Sequence, residues 1–205
     1  MADLDHRFDA ITEEFYDLQL AHLRQRAERG IPDGVSVEIG ANRGAFIRGM
    51  AELHPERHFI GIELRKKWAE YAQDSLERAG LDARAEVLRA DATFALPILF
   101  DDAQIKELFI LYPDPWWKTR HRKRRVVRDD LLDVIATKMA PGAPLWIRSD
   151  VGPLANDMRA VLNAHPKFRL LPLERYPKQP FPRSERDRLS IKKGMPVHIL
   201  YYERV

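Results

Sequence analysis

The chain of 205 residues contains no cysteine. Disulfides, thiolate zinc sites, iron–sulfur clusters and a cysteine nucleophile are therefore excluded. No apolar run approaches the roughly 20 residues that span a bilayer. The opening MADLDHRFDA lacks the hydrophobic stretch of a secretion signal, so a soluble cytoplasmic protein is the expectation. An excess of one charge sign is also nearly missing: 34 Lys and Arg against 31 Asp and Glu give +3. Such a total points to no particular partner. With 45% hydrophobic and 32% charged residues the composition is globular. The length fits one domain, residues 1–205, with a short helical extension over about 1–30, and no repeat or composition shift marks a second.

The small total hides an uneven distribution. Lys118 to Arg128 (KTRHRKRRVVR) carries seven basic residues and no acid, which leaves −4 for the rest of the chain. A block of like charge is usually a solvated face. This one follows directly on a motif that carries chemistry, and that position favours nucleic acid.

Short apolar runs alternate with helical patterns. Val35–Ile39, His58–Leu64, Ala85–Arg89, Glu107–Tyr112, Leu145–Arg148, Phe168–Leu173 and Val197–Tyr202 read as strands. Asp9–Gly30, Asn42–Leu53, Lys66–Ala79, Asp129–Met139 and Asp157–Ala164 read as helices. The alternation implies an α/β architecture with a mostly parallel sheet. The continuously apolar ELFILY fits a strand covered on both faces. The Pro-rich stretch from Leu171 to Pro182 is expected to be a surface loop.

Glu38-Ile39-Gly40-Ala41-Asn42-Arg43-Gly44 ends the first strand and opens a helix. Glycine there permits a tight turn and close approach of a ligand to the backbone. Glu63 ends the second strand, 23 residues after Gly40, where a carboxylate can accept hydrogen bonds from ribose hydroxyls. Asp91 follows the third strand. In a doubly wound sheet these strand ends face one crevice, so Glu38, Glu63 and Asp91 are expected to flank one pocket.

Tyr112-Pro113-Asp114-Pro115-Trp116-Trp117-Lys118 leaves the fourth strand. Prolines on either side of Asp114 restrict the backbone around it and hold its carboxylate in a set position. One of the two tryptophans is expected to pack in the core. Cations interleaved with aromatics suit RNA, whose phosphates and unstacked bases they can serve together.

At these residues the chain resembles the bacterial tRNA (guanine-N7-)-methyltransferases, class I S-adenosylmethionine-dependent enzymes. The resemblance runs from about Val37 to the C-terminus. It is densest in PDPWWKTRHRKRR, close to the family pattern Pro-Asp-Pro-Trp…Lys…Arg-His…Lys-Arg-Arg. It implies a Rossmann-like class I methyltransferase fold with a mostly parallel seven-stranded sheet, an antiparallel C-terminal strand and helices on both faces. It implies S-adenosylmethionine as cofactor, held by Glu38, Gly40, Asn42, Gly44, Glu63, Asp91 and Asp114, with Asp114 also catalytic. Asn42 stands where the family generally has glycine. Lys118 and Asp150 match positions that contact the tRNA substrate. The family also carries a C-terminal Thr-x-x-Glu. Residues 177–205 contain no threonine, and Ser184-Glu185 is the nearest match for substrate binding. Arg122, Lys123, Arg124 and Arg125 are expected on the tRNA backbone.

The implied reaction is direct methyl transfer to guanine N7, at position 46 of the variable loop, with no metal, no membrane and a monomer or homodimer. Guanine N7 has a lone pair and no proton, so no general base is needed. Two other readings compete: a methyltransferase-fold RNA-binding protein without activity, and an NAD-dependent oxidoreductase, which shares the glycines and the acidic ribose partner.

Overall fold

A computed structural model describes residues 13–175 and 181–205. Seven strands form one sheet: β1 (Val35–Ile39), β2 (Phe59–Glu63), β3 (Ala85–Arg89), β4 (Ile105–Leu111), β5 (Pro144–Ser149), β6 (Phe168–Leu170) and β7 (His198–Arg204). Their order is β3-β2-β1-β4-β5-β7-β6. Strands β1 to β5 pair parallel, and β7 runs antiparallel between β5 and β6. The expected parallel sheet with an antiparallel C-terminal strand is the one found. The chain order reverses between β1 and β4, the place where doubly wound sheets open a crevice at their carboxyl ends.

Side chains alternate across the sheet. Val35, Val37 and Ile39 of β1, Leu108 and Ile110 of β4, and Leu145 and Ile147 of β5 face one layer. That layer contains α1 (Glu13–Glu28), α4 (Ala92–Leu99), α5 (Asp129–Lys138) and α6 (Gly152–Ala164), which contribute Leu23, Leu96, Ile135 and Met158. The other layer is α2 (Ala45–Leu53) and α3 (Lys66–Arg78), with Phe46, Met50 and Leu76 buried against Phe109 and Trp146. A ladder of aromatic pairs crosses this second face. Phe109 stacks on Trp146 at 6.1 Å and Trp146 on Tyr201 at 4.2 Å, each pair directly opposite in register. No described helix is long and apolar enough to cross a membrane.

Two helices exceed the sequence expectation. Helix α4 is apolar on nearly all sides and contains Pro97, so it shows no 3.6-residue period. Helix α7 (Glu185–Lys192) is short and mostly charged. The last part of the expected strand Phe168–Leu173 is instead a loop and a short 3-10 turn at Leu173–Arg175. The start of the expected first helix, at Asp9, and the middle of the Pro-rich loop lie outside the described residues.

Candidate active site

A cleft of about 1360 Å³ opens at the carboxyl ends of β1, β2, β3 and β4. It brings together Glu38, Glu63, Asp91 and Asp114, the four carboxylates expected around one pocket. The turn after β1 shapes its floor. Gly40 (φ 82°) and Gly44 (φ 74°) both adopt the left-handed region, where a side chain is strained. At Gly44 a Cβ would also meet the Ala72 Cβ at 2.8 Å, so glycine lets α2 and α3 approach. Asn42 has φ 50°, and asparagine is among the few other residues that tolerate this conformation. Asn42 thus takes the left-handed conformation that glycine adopts most readily.

Glu63 is buried and anchored by backbone amides. Asn42 N–H donates to Oε2 at 2.8 Å and Arg65 N–H to Oε1 at 2.9 Å. Oε1 also accepts from Arg65 Nε at 3.3 Å, so the second lone pair of Oε2 is the acceptor left for a hydroxyl donor. Asp91 caps α4 by accepting from Thr93 N–H at 2.8 Å, and its own N–H donates to Gln19 Oε1 on α1 at 2.5 Å. Helix α1 therefore braces the third strand end, and its Tyr16 joins the cleft wall.

Glu38 is 4% exposed, and its Oε2 has no hydrogen-bond partner among the described residues. Burial, then the nearby Glu63 and Asp187 carboxylates, push its pKa up to about 8, against a weaker opposing effect of a hydrogen bond from the Ile47 amide. A buried, unsatisfied acid among acids is costly unless a cation or donor meets it. These residues fit S-adenosylmethionine: Glu63 Oε2 can accept from a ribose, the glycine turn gives backbone access, and Glu38 Oε2 is buried with no hydrogen-bond partner among the described residues.

Asp114 is exposed in the cleft wall between its two prolines. The segment is held in strained geometry at both ends, with Tyr112 at φ 54° and Trp116 at φ 44°. Tyr112 is fixed by its backbone N–H to Arg148 O at 2.8 Å and by its hydroxyl to Asp187 Oδ1 at 2.5 Å. Burial and the Asp187 hydrogen bond raise the Tyr112 phenol far above its ordinary range. Arg148 Nη1 donates to the same Asp187 oxygen at 3.1 Å.

Asp187 was not singled out by sequence reasoning, yet it is the buried hub of this wall. Ser184 caps α7, its hydroxyl and N–H donating to Asp187 Oδ2 at 2.8 and 2.9 Å while Asp187 N–H donates back to Ser184 Oγ at 3.1 Å. Ser184-x-x-Asp187 has the spacing of a capping box, and also the spacing of the family's Thr-x-x-Glu. That spacing was the available signal. Glu185 is half-exposed on the cleft rim, with Arg43 Nη1 3.4 Å away. Asp150 is 4% exposed in its side chain and accepts from Arg186 Nε at 2.6 Å and Ser190 Oγ at 2.9 Å.

The basic run starts as an exposed Lys118 and coils into a 3-10 turn, Thr119–Arg124. Arg124 is exposed at the cleft edge, with its guanidinium 5.1 Å from the Trp116 ring centroid. Arg125 turns inward instead: it donates to Pro115 O at 3.1 Å and to Asp157 Oδ2 at 2.7 Å. It braces the Asp114 segment from behind. The side chains of Arg122 and Lys123 lie outside the described residues.

The fold recurs in solved methyltransferase structures. A precorrin-6y C5,15-methyltransferase from Geobacter metallireducens superposes with a TM-score of 0.57 at 14% identity, covering 90% of this chain and 87% of the other. A SAM-dependent O-methyltransferase from Thermotoga maritima gives a TM-score of 0.55 at 15% identity, covering 98% and 68%. A family model described as "Putative methyltransferase" matches residues 33–199. Sheet order and family match together place the chain among the methyltransferases, on a Rossmann-like fold with a carboxylate-lined cleft.

Among curated relatives, a tRNA (guanine-N(7)-)-methyltransferase from Microcystis aeruginosa is 36% identical over 168 residues, 79% of each chain. One from Thermosynechococcus vestitus is 32% identical over 169 residues, 82% of this chain and 79% of the relative. The chain belongs to the family of bacterial tRNA (guanine-N7-)-methyltransferases. Against relatives from a Synechococcus strain and Cutibacterium acnes it spans only 60% and 63% of their length. The family match and the curated relatives lend the oxidoreductase reading no support.

Proposed function

We propose that this protein transfers the methyl group of S-adenosylmethionine to N7 of a guanosine in tRNA, at position 46 of the variable loop, in the cytoplasm. One observation carries the reading: the proline-flanked Asp114 and the strand-end carboxylates Glu38, Glu63 and Asp91 line a single cleft with a cationic rim. When bound, S-adenosylmethionine supplies an electrophilic methyl carbon on a sulfonium. Glu63 accepts from a ribose hydroxyl, Gly40, Asn42 and Gly44 shape the turn that admits it, Asp91 closes the far side, and Glu38 faces positive charge.

Asp114 orients the guanine through its N–H groups and stabilises the positive charge that develops on the purine. Since N7 carries no proton, none is removed, and acceleration comes chiefly from alignment, worth up to about 7–11 kcal/mol in the best intramolecular cases. Lys118 and Glu185 meet the substrate nucleotide, Asp150 and Ser184 hold the wall beside it through Arg186, Ser190 and Asp187, and Arg122, Lys123 and Arg124 meet tRNA phosphates. Arg125 braces the Asp114 segment from within the protein.

The test is incubation with labelled S-adenosylmethionine and an unmodified tRNA transcript, followed by nucleoside mass spectrometry and mapping of the modified site. The expected product is 7-methylguanosine at position 46. No transfer, or a different methylated nucleoside, overturns the reaction; 7-methylguanosine elsewhere overturns the position.

A further inference from the structure

Five aromatic side chains line the cleft: Tyr16, Phe46, Tyr112, Trp116 and Trp117. Four are engaged within the protein. Phe46 is buried edge-on to Phe109 at 4.9 Å, and Tyr16 packs edge-on to Phe94 at 5.1 Å. Tyr112 is tied to Asp187, and Trp116 lies against His121 at 5.7 Å and Arg124 at 5.1 Å. Trp117 has no ring or cation contact among the described residues and is 60% exposed. It sits three residues beyond Asp114 and directly before the exposed Lys118.

We infer that Trp117 is the stacking platform for the purine that is methylated, an inference that rests on the tRNA-methylation reading. Guanine N7 lies on the major-groove edge, which is deep and narrow in helical RNA, so bringing it to a methyl carbon inside a cleft takes the base out of its stack, and the lost stacking has to be replaced. Single bases presented by RNA loops are commonly received on aromatic faces, and indole offers the largest of these. A second effect acts during the reaction. The purine gains a positive charge when N7 becomes quaternary, and the electron-rich face of an indole attracts cations. The Trp117 contact therefore strengthens as the reaction proceeds, on the side of the base away from the protein interior. The adjacent Lys118 and Arg120, both exposed, are placed for the flanking phosphates.

The test compares Trp117→Leu, apolar without a ring, and Trp117→Phe, which keeps a ring, in tRNA binding measured over a range of salt. Stacking predicts about a tenfold loss of tRNA affinity for Trp117→Leu and a loss of less than about threefold for Trp117→Phe. The slope of log affinity against log salt should be unchanged, because stacking releases no counterions. S-adenosylhomocysteine affinity, measured by calorimetry, should match wild type and reports that both variants are folded. In tRNA carrying 2-aminopurine at the methylated position, the complex with Trp117→Leu should be brighter than with wild type, because an indole on the base quenches it. Trp117→Leu within twofold of wild-type affinity overturns the inference, as does a reduced salt slope or equal 2-aminopurine brightness. Wild-type protein that binds tRNA without methylating it overturns the reaction reading instead, while the binding comparison still reports on Trp117.

Discussion

The Tyr112 hydroxyl donates to Asp187 Oδ1 at 2.5 Å, joining the exit of β4 to the first turn of α7 across 75 residues of chain. The contact holds a non-glycine residue at φ 54° directly beside the Asp114 segment. Tyr112→Phe should lower unfolding stability by about 1–3 kcal/mol, because a buried carboxylate loses a donor. Asp187→Asn should cost more, since Arg148 loses its anionic partner and the capping box of α7 is weakened. Both are read by urea unfolding. If the clamp positions Asp114, both variants also lower kcat for methyl transfer while S-adenosylhomocysteine still binds.

Glu38 predicts an unusual pH dependence. Its pKa is 4.5 in an unfolded chain and about 8 in the fold, so the folded state holds the proton more tightly. The stability this provides is fully present below pH 4.5 and is lost as pH rises through about 8. Ligand-free Glu38→Gln should therefore be more stable than wild type at pH 8, by a few kcal/mol, with the difference shrinking towards pH 5. Thermal unfolding across that range measures it. Affinity for a cationic ligand should move oppositely, rising with pH as Glu38 ionises.

Asp114→Ala should fold normally, since the residue is exposed, and should reduce kcat by about 10²–10³ if its charge stabilises the methylated purine. Single-turnover methyl transfer with tRNA in excess isolates this effect from binding. Asp114→Asn separates charge from hydrogen bonding: retention of most activity would assign the residue an orienting role alone.

The basic run divides into two kinds of arginine. Replacing Arg122, Lys123 and Arg124 together by glutamine should reduce the salt slope of tRNA binding by about 2 if each meets one phosphate. Arg125→Ala should leave that slope nearly unchanged. It should instead lower stability by about 1–2 kcal/mol, through loss of the bonds to Pro115 and Asp157, and Tm by about 2–8 °C.

Most of the sheet was legible in the sequence because buried parallel strands are short, continuous and apolar. Val35–Ile39 and Ala85–Arg89 appear with the expected bounds. Helix α4 was not legible, because an apolar octet containing Pro97 carries no period. At the site, carboxylates at strand ends could be read from position alone. The inward turn of Arg125 could not, since a run of cations looks uniform until one of them finds Pro115 O and Asp157. Asp187 was hidden for a related reason. In an octapeptide of two acids and three bases, the Ser184-x-x-Asp187 spacing signals a helix cap but not that Asp187 will be 4% exposed and placed between a tyrosine and an arginine.

Strand β7 enters the sheet between two strands made before it, and α7 immediately precedes it in the chain. Until β7 arrives, the edge of β5 is bare and Tyr112 and Arg148 have no Asp187 to meet. The sheet and the cleft wall thus both need the same C-terminal segment, Glu185 to Arg204. A nascent or clipped molecule lacking α7 and β7 would retain the glycine turn and the first strand ends, but it would present an open strand edge prone to association in place of a finished site.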